Sequence, residues 1–293
     1  MTHRTKLVLL GTGTPNACPD AHGPATAVVV DDKAYLVDFG AGVVRRAAEA
    51  YRNGIDALSP KNLKIAFCTH LHSDHTTGLA DLIFTPWVLE RDEPLKLYGP
   101  KGLDKMAENI TKAYEADIDF RINGFEKANE VGYLTECHEL SEGVVYEDEL
   151  VKVEAFKAEH GTLECYSLRF TTPDRVIVIS GDTAPTEKMA EMAQGCDILL
   201  HEVFYSKGLA ERLPKWQKYH SSVHTSSKAL AEIANRAKPK LLITYHRIYH
   251  TEVQNNKINI AAHLREREEE ILREIKEDYS GAVVNGHDLE VYI

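Results

Sequence analysis

Short apolar runs bounded by turn residues recur along the chain and predict most of its β-strands. The run "KLVLLG" predicts the first strand, and "TAVVVDDKAYLVDFG" predicts two strands around a turn at Asp31, Asp32 and Lys33. Further strands are predicted at residues 63–70, 95–100, 150–161, 165–173, 174–183, 196–202, 240–246 and 288–293.

Stretches with apolar residues at helical spacing alternate with these strands. They predict helices at residues 42–53, 101–115, 186–194, 224–237 and 258–278, and a helix at 81–90 that Pro86 disturbs. Residues 204–223 are expected to form a loop, and residues 116–147 show no clear period. Strands with helices interleaved in each half predict an α/β fold, with two sheets covered by helices.

The size of the chain is compatible with one domain over residues 1–293. This length exceeds that of the usual domain, but α/β and two-sheet folds of 293 residues can form one unit with a sizeable core. No repeat, low-complexity segment or linker divides the sequence.

The charge of the chain is acidic, with a formal net charge of −11 and a sequence pI of about 5.7. Such a surface repels polyanions on average, and the sequence holds no long cluster of Lys and Arg. Nucleic acid is therefore a disfavoured, though still open, partner. A small anionic ester is the expected substrate.

The cysteines and the N-terminus favour a cytoplasmic protein. Five scattered cysteines without a CxxC pair fit reduced thiols better than a disulfide framework. The apolar stretch in the start, "MTHRTKLVLLGTGTP", is too short for the hydrophobic region of a signal peptide. A leader peptide that had already been cleaved off is the alternative. No segment reaches membrane-spanning length.

Histidine and aspartate side chains follow four of the predicted strands. "HLHSDH" places His70, His72, Asp74 and His75 after one strand. "AEHG", "SGDT" and "TYHR" place further such residues after three others: His160, Asp182 and His246. Because sites form at the carboxyl ends of strands in open sheets, these residues are expected to converge.

Neutral imidazole and carboxylate groups are both suitable ligands for Zn²⁺. His70 and His72 are close enough in a turn to face one ion, and Asp74 and His75 can face a second. A carboxylate such as Asp182 can bridge two ions, because each of its oxygens can bind one of them. For His160 or His246 alone, an ordinary surface position is the simpler interpretation. "HLHSDH" alone favours metal binding over a solvated loop, and all four features together strengthen that interpretation.

The sequence resembles the metallo-β-lactamase-fold hydrolases, in which "HLHSDH" matches the HxHxDH motif and "LLGTGTP" and "YLVDFGAG" match the opening motifs. The resemblance implies a four-layer αββα sandwich with a dinuclear zinc site, in which Mn or Fe is an alternative metal. It implies that His70, His72 and His160 hold one ion, that Asp74, His75 and His246 hold the other, and that Asp182 bridges them. Asp38 falls on the first-motif aspartate and is expected to support the site by hydrogen bonds.

"DILLHEVF" and "HTSS" are similar to motifs of the branch that holds ribonuclease Z, arylsulfatase-like and phosphodiesterase-like enzymes. The resemblance implies that His201, Glu202 and His224 lie near the metals and either handle protons or bind the anionic group of the substrate, with Asp74 also in the catalytic set. A histidine titrates near neutral pH and can protonate a leaving oxygen. A buried His201 bonded to Glu202 is the structural alternative.

The expected reaction is hydrolysis of a phosphodiester or an aryl sulfate by a hydroxide that bridges the metals. Ribonuclease Z-like processing of tRNA 3′ ends is the alternative, because the segment between His160 and Asp182 leaves room for two strands and a turn but not for a tRNA-binding arm. A lactonase or β-lactamase-like activity is a further alternative within the fold. Related enzymes are often dimers, so a homodimer is expected.

Two variable segments, 86–125 and 204–219, are expected to frame the substrate pocket. Their aromatic residues suit an aryl group, but ordinary packing explains most of them equally well; they are Trp87, Phe120, Phe125, Phe204, Tyr205, Trp216 and Tyr219. The histidines that match no motif are expected at the surface, namely His138, His220, His250 and His263.

Overall fold

A computed structural model describes residues 4–249 and 260–293, the side chains of 260–264 excepted. In chain order the elements of the first half are β1 (Thr5–Gly11), β2 (Ala25–Val30), β3 (Lys33–Val37), α1 (Val43–Arg52), β4 (Ile65–Phe67), α2 (Ser73–Thr76), α3 (Leu79–Val88), β5 (Leu95–Gly99), α4 (Leu103–Ala113), α5 (Glu115–Asn123) and β6 (Thr135–Glu139).

The second half contains the remaining elements in the same alternation. They are β7 (Gly143–Glu147), β8 (Lys152–Lys157), β9 (Tyr166–Thr171), β10 (Val176–Ile179), α6 (Glu187–Met192), β11 (Ile198–Phe204), α7 (Ser206–Ala210), α8 (Pro214–Val223), α9 (Ser227–Ala237), β12 (Leu241–Ile248), α10 (Ile260–Asp278), β13 (Val283–Asn285) and β14 (Val291–Tyr292).

The strands form two sheets of seven, one from each half apart from the C-terminal strand. The first has the order β14-β1-β2-β3-β4-β5-β6, and the second has the order β13-β12-β11-β10-β9-β8-β7. Both sheets mix antiparallel strands with a parallel part, which comprises β3 to β6 in the first sheet and β10 to β13 in the second.

Side-chain alternation along the strands explains why the sheets are covered on both faces. In β1, Leu7 and Leu9 pack between the two sheets, whereas Val8 and Leu10 pack in the outer layer beneath α1 and α3. In β11, Leu200 lies between the sheets and Leu199 lies beneath α6, α9 and α10. The predicted αββα sandwich is therefore confirmed.

Several sequence predictions need correction at the level of elements. Residues 204–223 contain the end of β11 and two helices, α7 and α8, rather than a loop. Pro86 does not end α3, which continues to Val88. The helix predicted at 258–278 is seen as Ile260–Asp278, since residues 258 and 259 lie outside the described part. No helix within that part is both long and apolar enough to cross a membrane.

Candidate metal centre

One edge of the sandwich collects all seven residues predicted as metal ligands. They lie after β4, within α2, after β8, after β10 and near the end of β12. Their ligating atoms form two groups, in each of which all atoms are within 4.8 Å of one another; the groups are His70, His72, His160 and Asp182, and Asp74, His75 and His246. The strand ends thus converge as expected.

The first group places three imidazoles around one point. His72 Nδ1 lies 3.1 Å from His70 Nε2 and 3.2 Å from His160 Nε2. Asp182 Oδ2 lies 3.8 Å from His70 Nε2 and 4.0 Å from His160 Nε2. Three ring nitrogens and a carboxylate oxygen at these separations match the donor set of a zinc ion.

The second group shares Asp182 with the first. Asp182 Oδ1 lies 3.4 Å from His75 Nε2 and 3.5 Å from His246 Nδ1. Asp74 Oδ2 lies 3.2 Å from His246 Nε2 and 3.5 Å from His75 Nε2. Because the two oxygens of Asp182 face different groups, its carboxylate has the geometry that the predicted bridging role requires.

Hydrogen bonds from outside the cluster orient two of the rings. His75 Nδ1 donates to Asp38 Oδ2 at 2.8 Å, and His160 Nδ1 donates to the carbonyl of Val223 at 2.8 Å. Each bond orients Nδ1 toward its acceptor and directs Nε2 into the cluster. Asp38 also accepts from the backbone and hydroxyl of Thr69, so it supports the site as expected.

Gly181 sets the direction of the chain before Asp182. Its φ is +61°, and an added Cβ would lie 2.9 Å from the Thr69 Cβ. A side chain at this position would therefore combine backbone strain with a clash against the strand end that carries His70.

Burial keeps part of the cluster uncharged. Desolvation lowers the pKa of His160 to about 4 and that of His70 well below its usual range, so both rings are neutral and can donate a lone pair. Burial also lowers the pKa of His75, but the carboxylates of Asp182 and Asp38 outweigh it and raise that pKa overall. A positive charge beside these carboxylates is therefore favourable.

Three buried polar atoms in the cluster have no hydrogen-bond partner among the described residues: His75 Nε2, Asp182 Oδ1 and His246 Nδ1. Leaving such atoms unpaired normally costs free energy, about 1–3 kcal/mol each. All three face the space between the rings, where a cation would satisfy them. The donor set therefore fits a pair of divalent metal ions.

Glu202 and His224 lie beside the cluster, on the side of Asp182. His224 Nδ1 donates to Glu202 Oε1 at 3.0 Å and lies 4.0 Å from Asp182 Oδ2. The neighbouring carboxylate outweighs burial and raises the pKa of His224 to about 9. Glu202 Oε1 also accepts from the backbone N–H groups of Thr183 and Thr225, which fix its position.

His201 is not brought to the cluster. Its side chain shares the helix-facing side of β11 with Leu199, and its Nδ1 donates to the carbonyl of Glu202 at 2.7 Å. No contact between His201 and the metal-ligand candidates is seen in the described residues. The structure therefore corresponds to the alternative interpretation, a buried strand histidine.

The aromatic residues of the two variable segments divide into two sets. Trp87, Phe204 and Tyr205 are buried in the interior, so ordinary packing explains them and they do not line a substrate pocket. Phe120, Phe125, Trp216 and Tyr219 are exposed.

His220 was expected at the surface but is half-buried, with its ring stacked on that of His224 at 5.7 Å between centroids. Residues four apart on a helix are neighbours, so the spacing of His220 and His224 indicates contact between their rings. This inference requires a helix at residues 214–223, where the sequence analysis expects a loop. Of the other three, His250 and the side chain of His263 lie outside the described part, and His138 is exposed.

The sequence of the chain matches one family model and is similar to known ribonuclease Z sequences. The sequence model described as "Beta-lactamase superfamily domain" matches residues 33–247. Ribonuclease Z from Mycobacterium bovis (strain BCG / Pasteur 1173P2) is 32% identical over 250 residues, covering 82% of this chain and 85% of the relative.

Two solved structures share the fold along almost the whole chain. The metallo-β-lactamase-fold protein YhfI from Bacillus subtilis has a TM-score of 0.72 at 16% identity and covers 99% of this chain and 100% of its own. The short form of human tRNase Z has a TM-score of 0.70 at 19% identity and covers 98% of each chain.

Proposed function

The chain belongs to the metallo-β-lactamase superfamily, and on that premise we propose that it is a metal-dependent hydrolase that cleaves phosphodiester bonds in RNA. The observation that carries this proposal is the position of Asp182 between two groups of ligating side chains. A shared carboxylate between two sets of nitrogen donors is the arrangement of two-metal hydrolytic sites.

In this proposal His70, His72 and His160 would hold one ion, Asp74, His75 and His246 would hold the second, and the Asp182 carboxylate would be shared between them. Zinc suits a site with five imidazoles and two carboxylates, and Mn or Fe would also accept these donors. When bound, such a pair of ions polarises the phosphate and makes water acidic enough to act near neutral pH.

The residues beside the cluster manage protons. Glu202 fixes His224 with its Nδ1 proton toward Oε1, so the opposite ring nitrogen, Nε2, is available to the leaving oxygen. His224 donates a proton to that oxygen as the bond to phosphorus breaks. Asp74, whose side chain is 9% exposed, accepts a hydrogen bond from the attacking water. His201 has no part in this scheme.

The ribonuclease Z relative supports a nucleic-acid substrate, whereas the acidic charge of the chain disfavours one. A specific observation favours a second candidate, a small phosphodiester. The strands between His160 and Asp182 are β9 and β10, which form an antiparallel hairpin. Val176 pairs with Thr171 next to its turn. This connection provides no arm that could hold the body of a tRNA, and the net charge is −11.

A substrate panel tests the proposal. The full chain, supplied with Zn²⁺ or Mn²⁺, would be assayed against a precursor tRNA with a 3′ extension, a chromogenic phosphodiester and an aryl sulfate. We expect cleavage of the phosphodiesters, abolished by a chelator and restored by metal, and slower turnover of the sulfate. Turnover of the sulfate alone, or of no substrate with metal present, would overturn it.

A further inference from the structure

The helix α8 (Pro214–Val223) leads directly into His224 and differs in charge from the rest of the chain. Between Arg212 and Ala231 the sequence has no Asp or Glu, although the formal net charge of the whole chain is −11. The same interval contains four cations: Arg212, Lys215, Lys218 and Lys228. This helix is therefore a basic region on an acidic protein.

Aromatic rings form a continuous series from the exposed face of α8 to the metal centre. Trp216 and Tyr219 are 39% and 44% exposed, and their ring centroids lie 6.1 Å and 5.1 Å from that of His220. The His220 ring stacks on His224 at 5.7 Å, and His224 lies 5.1 Å from His160. The helical spacing of these residues places them on one side of α8.

The end of α8 is fixed to the site. The carbonyl of Val223, its last residue, accepts the hydrogen bond from His160 Nδ1, and the backbone N–H of His224 donates to the carbonyl of His220. The helix and a predicted metal ligand therefore keep a constant separation. A ligand bound along α8 would extend from a phosphate held at the cluster.

Two lysines on α8 are available to an anion. Lys215 and Lys218 are exposed, and neither forms an ion pair within the described part of the chain. Lys215 Nζ lies 5.1 Å from the centroid of the Trp216 ring, so a positive charge and an aromatic face are presented together.

We propose that the exposed face of α8 binds the RNA strand beside the bond to be cleaved, with Trp216 and Tyr219 stacking on bases and Lys215 and Lys218 contacting phosphates. This inference rests on the proposed function and specifies how its substrate is held. Every base has a π-face, so such a platform accepts single strands with little dependence on sequence. It also supplies the local attraction that an acidic protein needs to bind a polyanion.

The other exposed aromatic group of the variable segments has the wrong charge for this role. Phe120 lies on α5 (Glu115–Asn123), whose first turn is acidic at Glu115 and Asp117. Phe125, which is fully exposed, follows the same helix. A residue pair from this region, Lys105 and Phe125, therefore provides a matched control.

The test is binding of a short fluorescein-labelled single-stranded RNA to the full chain, measured by anisotropy at several salt concentrations with metal omitted to prevent cleavage. We expect Trp216→Ala to weaken binding about tenfold and Trp216→Phe, which keeps a ring, to weaken it much less. Lys215→Ala with Lys218→Ala should reduce the slope of log K against log salt by about 1.4, about 0.7 for each phosphate contact. Lys105→Ala with Phe125→Ala should leave affinity and slope unchanged.

Tryptophan fluorescence locates the bound strand independently. The chain has two tryptophans, and Trp87 is 1% exposed with its indole N–H bound to the carbonyl of Asn129. Quenching by RNA should therefore come from Trp216 and disappear in Trp216→Phe, whose metal content and far-UV circular dichroism should match those of the wild type.

Equal RNA affinity of Trp216→Ala and the wild type, or no RNA binding by the wild type, would overturn the inference. So would binding to anionic lipid vesicles in place of RNA. These outcomes are separable from the proposed function. Turnover of the chromogenic phosphodiester without RNA binding would support the hydrolase activity and contradict RNA binding by α8. RNA binding that depends on Trp216, without turnover of any substrate, would support binding by α8 and contradict the hydrolase activity.

Discussion

At the scale of single residues, Glu202 connects three parts of the site. Its Oε1 accepts from His224 and from two backbone N–H groups, those of Thr183 and Thr225. Its Oε2 is buried without a hydrogen-bond partner in the described structure. One oxygen of this carboxylate therefore holds both the backbone around Thr183 and Thr225 and the imidazole of His224 in place.

Replacing His224 with alanine tests the role of this imidazole. We expect His224→Ala to lower kcat for a phosphodiester about 10²- to 10⁴-fold, which is the usual contribution of a positioned proton donor, and to leave the metal content unchanged. The measurements are steady-state kinetics and elemental analysis of the same preparation. His138→Ala, in an exposed position, is the control. Loss of metal from His224→Ala would assign a ligand role instead.

Residue types and spacing predict which side chains form the cluster, but the direction of the His201 side chain differs from the expectation. His201 and Glu202 are neighbours on a strand, and consecutive strand residues point to opposite faces. Both could not face the metals, and the structure places only Glu202 there. The spacing of His220 and His224 was informative in the same way, but it required α8 to be recognised first.

At the scale of elements, the sequence does not predict strands whose local pattern of apolar residues is weak, because contacts with distant parts of the chain determine their structure. The strands that were not predicted, β6, β7 and β13, all lie at edges of the two sheets. The segment "TECHE" of β6 has no buried residue, so no apolar alternation marks it as a strand. The start of α8 carried one signal, Pro214 at the first turn, which is a favoured helix-initiating position.

The helix α7 depends on a contact from far along the chain. Glu274 of α10 is fully buried, and its carboxylate accepts from the backbone N–H groups of Ser206 and Lys207 at 3.0 and 3.2 Å. It also accepts from the hydroxyl of Ser227 at the start of α9. A single carboxylate thus satisfies the first N–H groups of α7 and joins three helices.

Glu274→Ala should therefore lower the free energy of unfolding by about 1–3 kcal/mol, because it leaves buried donors without a partner. Urea denaturation followed by circular dichroism measures this change. Glu277→Ala, exposed on the same helix, should have little effect. Equal stability of the two variants would show that α7 does not depend on the Glu274 carboxylate.

At the scale of the whole molecule, ionic contacts connect the C-terminal elements to β12, the strand that carries His246. Arg247, the residue after His246, is 4% exposed and donates to the carbonyls of Thr244 and Gly286 and to Glu268 of α10. Glu268 also accepts from Tyr249 and contacts His287. These contacts were not predictable from local patterns, because the residues are distant in sequence.

This network predicts a loss of stability in acid. Although burial opposes the charged form of Glu268, its hydrogen bonds and the charges of His287 and Arg247 lower its pKa from 4.5 to about 2. Its contribution, about 3 kcal/mol at most, is complete above pH 4.5 and is lost as the pH falls toward 2.

The difference in unfolding free energy between the wild type and Glu268→Gln should therefore shrink as the pH falls below about 4.5, where Glu268 takes up a proton. It should also shrink as the pH rises above about 6.5, because Glu268 raises the pKa of His287 and that ring then loses its proton. Denaturation series at several pH values measure it, with Glu269→Gln, exposed in the same helix, as the control. A difference that does not change with pH would mean that Glu268 gains nothing from its charged partners.

The most direct test of the account is elemental analysis of the full chain purified without chelators, together with its Asp182→Asn variant. We predict close to two divalent metal ions per chain in the wild type, and a clear loss of metal in the variant, because the carboxylate that faces both groups of ligands has lost its charge. A wild type without bound metal after exposure to Zn²⁺ or Mn²⁺, or an Asp182→Asn variant with an unchanged metal content, would contradict the account.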